Sequence, residues 1–167
     1  KEEITIEDAN IDTVTKIKVN VDLPQALDRA RATNPDGVGL VRLEFMIAEN
    51  GVHPAKYIKD GRQEEYTNFL ASKLRNIAKK FEGKPIWVRT SDIRSDEYRE
   101  LEGGDIDEKE SNPMMGWHAI RRGLDEQGIL KAELRAVKKL IEEGINNISI
   151  MLPMITHVEQ VTKTKNI

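Results

Sequence analysis

The sequence predicts an α/β fold in which short parallel strands alternate with helices, and three observations support this class. Four short apolar segments recur along the chain, at residues 17–21, 38–47, 86–91 and 148–155. Stretches with apolar residues at helical spacing separate them, and strands joined through helices pair in parallel. No glycine-rich phosphate-binding turn follows the first strand, which argues against a doubly wound nucleotide-binding fold.

The first two units follow one another closely. Residues 17–21 alternate apolar and polar side chains, as a short strand does. Asp22 is predicted as the N-cap of the next helix, with Pro24 in its first turn. The run 38–47 is almost wholly apolar, so we predict a strand that is covered on both faces.

The longest predicted helix covers residues 63–81 and ends before the third strand, 86–91. Its apolar side chains fall on one stripe at helical spacing. That stripe consists of Tyr66, Phe69, Leu70, Leu74, Ile77 and Phe81.

After a long polar loop, another helix is predicted to end at Gly144. Its inward-facing residues are predicted to be Leu130, Leu134, Val137 and Ile141. The fourth strand is predicted at 148–155, and Thr156 with Glu159 has the spacing of a capping box that opens a further helix.

Composition limits the possible functions. Charged residues make up 33% of the 167 and the formal net charge is -3, which gives no general footprint for nucleic acid. The chain has no cysteine, so neither a disulfide framework nor a thiolate metal cluster is available. The apolar runs are too short to span a bilayer, and we predict a soluble, cytoplasmic protein with no membrane partner.

Four strand–helix units are half of a (β/α)₈ TIM barrel, which needs about 250 residues when complete. Such barrels carry their functional residues in the loops at the carboxyl ends of the strands. We therefore predict the N-terminal half of such a barrel, as a piece of a larger protein.

Two arginines occupy equivalent positions in this scheme. Arg42 and Arg89 each lie near the carboxyl end of an apolar strand, and a carboxylate follows each, Glu44 or Asp92. One interpretation is structural, in which each arginine pairs with the acid that follows it. The other is that both planar guanidinium groups bind a phosphate or carboxylate, with the acids orienting them.

Other polar residues have ordinary explanations. Arg121 and Arg122 are predicted on a solvated helix face, and His53 and His157 as helix caps or surface residues rather than metal ligands. No metal-ligand cluster is visible in the sequence.

Six ordered motifs carry a resemblance to a known family. They are "GVGLVRLEFMI", "GVHP", "PIWVRTSD", "EYRELEGGD", "NPMMGWHAIRR" and "SIMLPMI". Together they resemble the C-terminal phosphoenolpyruvate-utilising barrel shared by phosphoenolpyruvate synthases, pyruvate phosphate dikinases and enzyme I of the sugar phosphotransferase system. The third, fourth and fifth motifs are most similar to the synthase branch.

The resemblance implies a function for the parts of the chain. Residues 1–15 would be a linker from an upstream phosphohistidine domain, and 16–167 the first half of a barrel that binds phosphoenolpyruvate or pyruvate. Arg42 and Arg89 match the family's substrate-binding arginines. The implied enzyme converts pyruvate, ATP and water to phosphoenolpyruvate, AMP and phosphate.

The resemblance also implies partners and cofactors beyond these residues. ATP would bind to another domain, Mg²⁺ would have its ligands on later strands, and the enzyme would be a homo-oligomer. One alternative is a homologue that has lost catalysis and serves assembly or regulation; the other is a pyruvate phosphate dikinase or enzyme I of the phosphotransferase system.

One position departs from the family pattern. His118 stands where relatives commonly carry an arginine that faces the phosphate. Either His118 is a weaker, pH-dependent donor to the phosphate, or this copy has drifted from catalysis.

Overall fold

A computed structural model describes residues 13–23 and 26–167. In chain order its elements are β1 (Val19–Asn20), α1 (Leu27–Ala32), β2 (Val38–Arg42), α2 (Leu43–Asn50), α3 (Pro54–Lys59), α4 (Gln63–Lys80), β3 (Ile86–Arg89), α5 (Ala119–Asp125), α6 (Gln127–Glu142), β4 (Ile148–Met151) and α7 (Val158–Lys165). A 3₁₀ turn at Pro113–Met115 precedes α5. The predicted linker 1–15 lies mostly outside the described residues.

The four strands form one parallel sheet in the order β1-β2-β3-β4. Right-handed connections between successive strands in this order place the connecting helices on the same face of the sheet. Helix α4 accordingly packs between α1 and α6. This is the arrangement of the first half of a (β/α)₈ barrel, so the predicted fold class is confirmed.

Strand β3 shows how the sheet divides its two faces. Ile86 and Val88 are buried, whereas Trp87 between them is 40% exposed. Because successive side chains of a strand point to opposite faces, Trp87 and Arg89 share the face that lies away from Ile86 and Val88. Arg89 thus lies on the face that lines the interior in a closed barrel.

The core lies between the sheet, α4 and α6. The predicted stripe of α4 is confirmed: its aliphatic residues and Tyr66 are buried, and the Tyr66 ring stacks on Tyr57 with 5.4 Å between centroids. The predicted stripe of the following helix was partly wrong, because Ile141 is 48% exposed. Helix α6 instead buries small residues such as Ala132 and Ala136, together with Leu140, against α4.

The predicted strand at 38–47 was too long. The strand ends at Arg42 and the chain continues directly as α2, which buries Leu43, Met46 and Ile47. That spacing is helical, but a short run that is apolar throughout does not distinguish a buried strand from a buried helix.

The predicted N-cap at Asp22 was also wrong. Helix α1 begins at Leu27 with Ala26 as its N-cap. The Asp22 carboxylate bonds to Arg42 instead. Pro24, predicted in the first turn, lies outside the described residues.

The fourth strand and the last helix differ slightly from prediction. β4 ends at Met151, two residues before Pro153, which has no N–H to donate to a sheet. Helix α7 has His157 as its N-cap, and the Gln160 side chain accepts from the His157 N–H, so the capping box lies one residue later than predicted. Across 13–23 and 26–167, no helix combines the length and apolar character needed to cross a membrane.

Candidate functional site

The two predicted arginines meet at the carboxyl edge of the sheet. Arg42 pairs in register with Arg89, and Arg89 with Met151 of β4. Because neighbouring parallel strands end together, both guanidinium groups extend from the same edge. The predicted equivalence of their positions is confirmed.

Arg42 does not pair with Glu44, as the structural interpretation supposed. Asp22 Oδ1 accepts the Arg42 backbone N–H at 3.0 Å and Nε–H at 3.1 Å, and Asp22 Oδ2 accepts Nη2–H at 2.5 Å. The hydrogen bonds to Asp22 raise the pKa of Arg42 above its ordinary value, so the group stays cationic. The Arg42 guanidinium also lies over the Phe45 ring, 4.6 Å from its centroid.

Arg89 is held by both predicted carboxylates. Its Nη2 donates to Glu44 Oε1 at 2.9 Å, and its Nη1 lies 3.9 Å from Asp92 Oδ2. Glu44 is buried, and burial raises the pKa of its carboxyl despite the attraction of Arg89. Arg89 Nε and Glu44 Oε2 are buried without a hydrogen-bond partner among the described residues.

His118 lies behind this pair. Its Nδ1 is 2.6 Å from Asp92 Oδ1, and its Nε2 is 3.2 Å from the Met114 carbonyl oxygen. A carboxylate and a carbonyl both accept hydrogen bonds, so each ring nitrogen of His118 faces an acceptor. The side chain is buried, and its two polar atoms are engaged by the loop that follows β3.

Tyr98, which no sequence pattern indicated, lies beside the arginines. Its backbone φ is 56°, a left-handed conformation that non-glycine residues seldom adopt. Partial burial raises the pKa of the Tyr98 hydroxyl, and Glu44 adds to this while Arg42 and Arg89 act in the opposite direction. The phenol therefore lies among the charges of the site.

Glu133 is a second feature that the sequence did not indicate. It lies on the inner face of α6, buried, where Oε2 accepts the Ser91 N–H at 3.1 Å and Oε1 lies 3.2 Å from the Tyr66 hydroxyl oxygen. Burial raises the pKa of Glu133 to about 7, and the charge of Glu44 contributes in the same direction. Hydrophobic periodicity did not reveal it, because that pattern locates apolar side chains, and Glu133 is an ionisable residue on the buried face of α6.

A partly open cavity of about 20 Å³ is lined by Glu133 and His53, among other residues. That volume holds a single water molecule. His53 caps α3 as predicted, because its Nδ1 accepts the Ala55 N–H at 3.3 Å. Burial, with the nearby Arg122 cation, lowers the pKa of His53 to about 4, so the ring is neutral at physiological pH.

Arg122 contradicts the prediction of a solvated helix face. Its side chain is 8% exposed and binds Asp107 with two bonds of 2.5 and 2.9 Å. It also contacts Glu126 and stacks on Trp117. Helical position alone did not reveal this, because Asp107 comes from the loop after β3. The pair fastens that loop, which carries Asp92 and Tyr98, to α5.

The arginines at the edge are matched by carboxylates. Arg42 and Arg89 face Asp22, Glu44 and Asp92. Attraction by net charge is therefore weak, and an anion would be bound by N–H groups aimed at it. Arg42 is the more accessible donor, with 37% of its side chain exposed against 22% for Arg89.

The described residues do not fit a magnesium site. Within 13–23 and 26–167 there is no group of three acidic or histidine side chains placed to hold a metal ion. Asp22 and Glu44 are already bound to arginines.

The fold and the site together define an α/β domain of the half-barrel type whose carboxyl strand edge carries two arginines. A family model described as "PEP-utilising enzyme, PEP-binding domain" matches residues 2–167. The chain belongs to this family.

Curated relatives agree with the family. The chain is 46% identical over 165 residues to a phosphoenolpyruvate synthase of Pyrococcus furiosus. It is 48% identical over 166 residues to a probable phosphoenolpyruvate synthase of Methanothermobacter thermautotrophicus. These alignments cover 99% of this chain but only 20% and 24% of the two relatives. The chain thus spans about a fifth to a quarter of their length.

Proposed function

We propose that this chain is the phosphoenolpyruvate- and pyruvate-binding part of a phosphoenolpyruvate synthase. The observation that carries the proposal is the pair of arginines, each fixed by a carboxylate, at the carboxyl edge of a parallel sheet. The similarity to named synthases supports it.

The proposed reaction forms phosphoenolpyruvate by phosphoryl transfer. The enolate oxygen of pyruvate attacks the phosphorus of a phosphohistidine on another domain, the O–P bond forms, and the N–P bond breaks. Because the transition state spreads negative charge over the phosphoryl oxygens, fixed N–H donors stabilise it. In this proposal, Arg42 and Arg89 orient the carboxylate and phosphoryl oxygens, and Tyr98 lies beside them.

The remaining parts of the proposal concern the whole enzyme. ATP would react at a separate domain, and Mg²⁺ would be held by residues on strands that follow β4, since the residues described here do not fit it. The cytoplasmic location and the homo-oligomer implied by the family resemblance belong to the same proposal.

The test is turnover by the full-length protein that contains this chain, measured as pyruvate-dependent formation of AMP from ATP. We expect Arg42→Lys and Arg89→Lys each to lower turnover at least about a hundredfold, because lysine does not reproduce the planar fork. Arg75→Lys is the control, since Arg75 pairs with Glu143 on the helix surface.

Each outcome has a distinct meaning. Near-normal rates in either variant would return that arginine to a structural role. A folded full-length protein without activity would favour the non-catalytic homologue. We also expect the isolated 167-residue chain to bind phosphoenolpyruvate weakly without turnover; pyruvate-dependent ATP consumption by the purified chain would contradict this.

A further inference from the structure

Arg42 ends β2, but the residue that holds it, Asp22, follows the neighbouring strand β1. Asp22 follows Val21, which is fully buried and donates its N–H to the Leu40 carbonyl at 3.1 Å. The last β1–β2 hydrogen bond therefore anchors Asp22, whose side chain is only 14% exposed. The carboxylate reaches both the backbone N–H and the guanidinium of Arg42.

The contacts of Arg42 leave one edge of its guanidinium group open. Asp22 occupies the edge formed by Nε and Nη2, and the Phe45 ring covers one face. A guanidinium has five N–H groups, so the edge formed by Nη1 and the second hydrogen of Nη2 remains. No described residue bonds to Nη1 of Arg42. That edge is a two-donor fork of the kind that binds a phosphate or carboxylate.

Arg89 is held differently, which makes the arrangement at Arg42 specific. Glu44 takes Nη2 of Arg89, and Nε of Arg89 is buried without a described partner. Arg42 therefore makes more hydrogen bonds than Arg89 along one edge of its guanidinium group, and the opposite edge of Arg42 is the more accessible one.

We propose that Asp22 is a positioning residue that aims the open fork of Arg42 at the anionic substrate. This inference rests on the proposed function. A carboxylate beside an anion site opposes anion binding by its charge, so any favourable contribution of Asp22 must come from orientation. Fixed donors stabilise a transition state because no reorganisation is needed when charge develops.

The experiment is a double-mutant cycle in the full-length protein. Asp22→Asn keeps an oxygen for the Arg42 backbone N–H but replaces an acceptor of the fork with a donor. We expect its kcat to fall at least about tenfold while its KM for pyruvate changes less than about threefold. In the Arg42→Lys background, Asp22→Asn should lower kcat by less than about twofold further. Arg42→Lys alone already removes the guanidinium that Asp22 orients, so the two losses should not add.

Asp36→Asn is the matched control. Asp36 likewise accepts a backbone N–H, that of Ile17 at 2.7 Å, and pairs with Lys16, but it precedes β2 at the opposite end of the sheet. We expect its kcat to equal that of the wild type. Wild-type kcat for Asp22→Asn, or fully additive losses in the cycle, would overturn the inference and leave the proposed function standing.

A second measurement does not need turnover. By NMR, the Arg42 Nε–H of the wild-type protein should exchange with water at least about tenfold more slowly than in Asp22→Asn, with or without phosphoenolpyruvate. Equal exchange rates would show that Asp22 does not hold the Arg42 guanidinium, even if the enzyme is active. An inactive wild type that retains slow exchange would contradict the proposed function but not the holding of Arg42 by Asp22. If Asp22→Asn does not fold, Asp22→Glu, which keeps the charge but displaces the carboxylate by one methylene, takes its place in both measurements.

Discussion

Replacing Glu133 with glutamine should make the chain more stable at alkaline pH. Glu133 is 2% exposed, and burial raises its pKa from the ordinary 4.5 to about 7. Glu133 accepts hydrogen bonds from the Ser91 N–H and the Tyr66 hydroxyl, and these do not offset the effect of burial on its pKa. Glutamine keeps both contacts, because its oxygen accepts from Ser91 and the Tyr66 hydroxyl, which can donate or accept, can turn to accept from the amide.

The magnitude follows from the two pKa values. The folded chain retains the Glu133 proton up to pH about 7, whereas the unfolded chain releases it from about 4.5. The folded state therefore binds more protons within this window, and stability falls as pH rises through it. The difference between 4.5 and about 7 corresponds to about 3 kcal/mol, all of it lost above pH 7. Glutamine does not ionise and escapes this loss.

The assay is urea unfolding of the 167-residue chain, followed by circular dichroism from pH 4 to 8. We expect Glu133→Gln and the wild type to be about equally stable near pH 4 and the variant to be about 3 kcal/mol more stable at pH 8. Glu142→Gln, at an exposed position of the same helix, is the control and should stay within about 0.5 kcal/mol of the wild type. A Glu133→Gln advantage that does not grow with pH would refute the reasoning.

Three further changes test the loop and the core. Arg122→Met should destabilise the chain by about 3 kcal/mol or more in urea unfolding, because Asp107, 8% exposed, loses its partner; a loss below about 1 kcal/mol would mean that the pair is not needed. Gly104→Ala should cost about 1–3 kcal/mol in thermal unfolding, since its Cβ would lie 2.3 Å from the Tyr98 carbonyl oxygen. Gly123→Ala is the control: its Cβ meets only ordinary contacts, so its stability should be close to that of the wild type. Asn147→Ala should cost about 1–3 kcal/mol, because its amide donates at 3.0 Å to the Phe81 and Lys84 carbonyls after α4; unchanged stability would show that water replaces it.

The sequence by itself determined the fold class and the placement of the two arginines. Apolar segments separated by amphipathic helices require a parallel sheet, and the ends of its strands meet at one edge. Arg42 and Arg89 follow their strands at the same depth, and the structure pairs them in register. The stripe of α4 was predictable for the same reason, because burial of one helix face repeats every three or four residues.

Only the tertiary structure decided which charges pair. Asp22 reaches Arg42 across 20 positions, Glu44 reaches Arg89 across 45, and Glu133 reaches Ser91 across 42. Such distances carry no local pattern, since hydrogen-bond partners are set by how strands and helices stack rather than by spacing along the chain. The change from strand to helix at Leu43 has the same origin, because an apolar run satisfies either structure until its neighbours are in place.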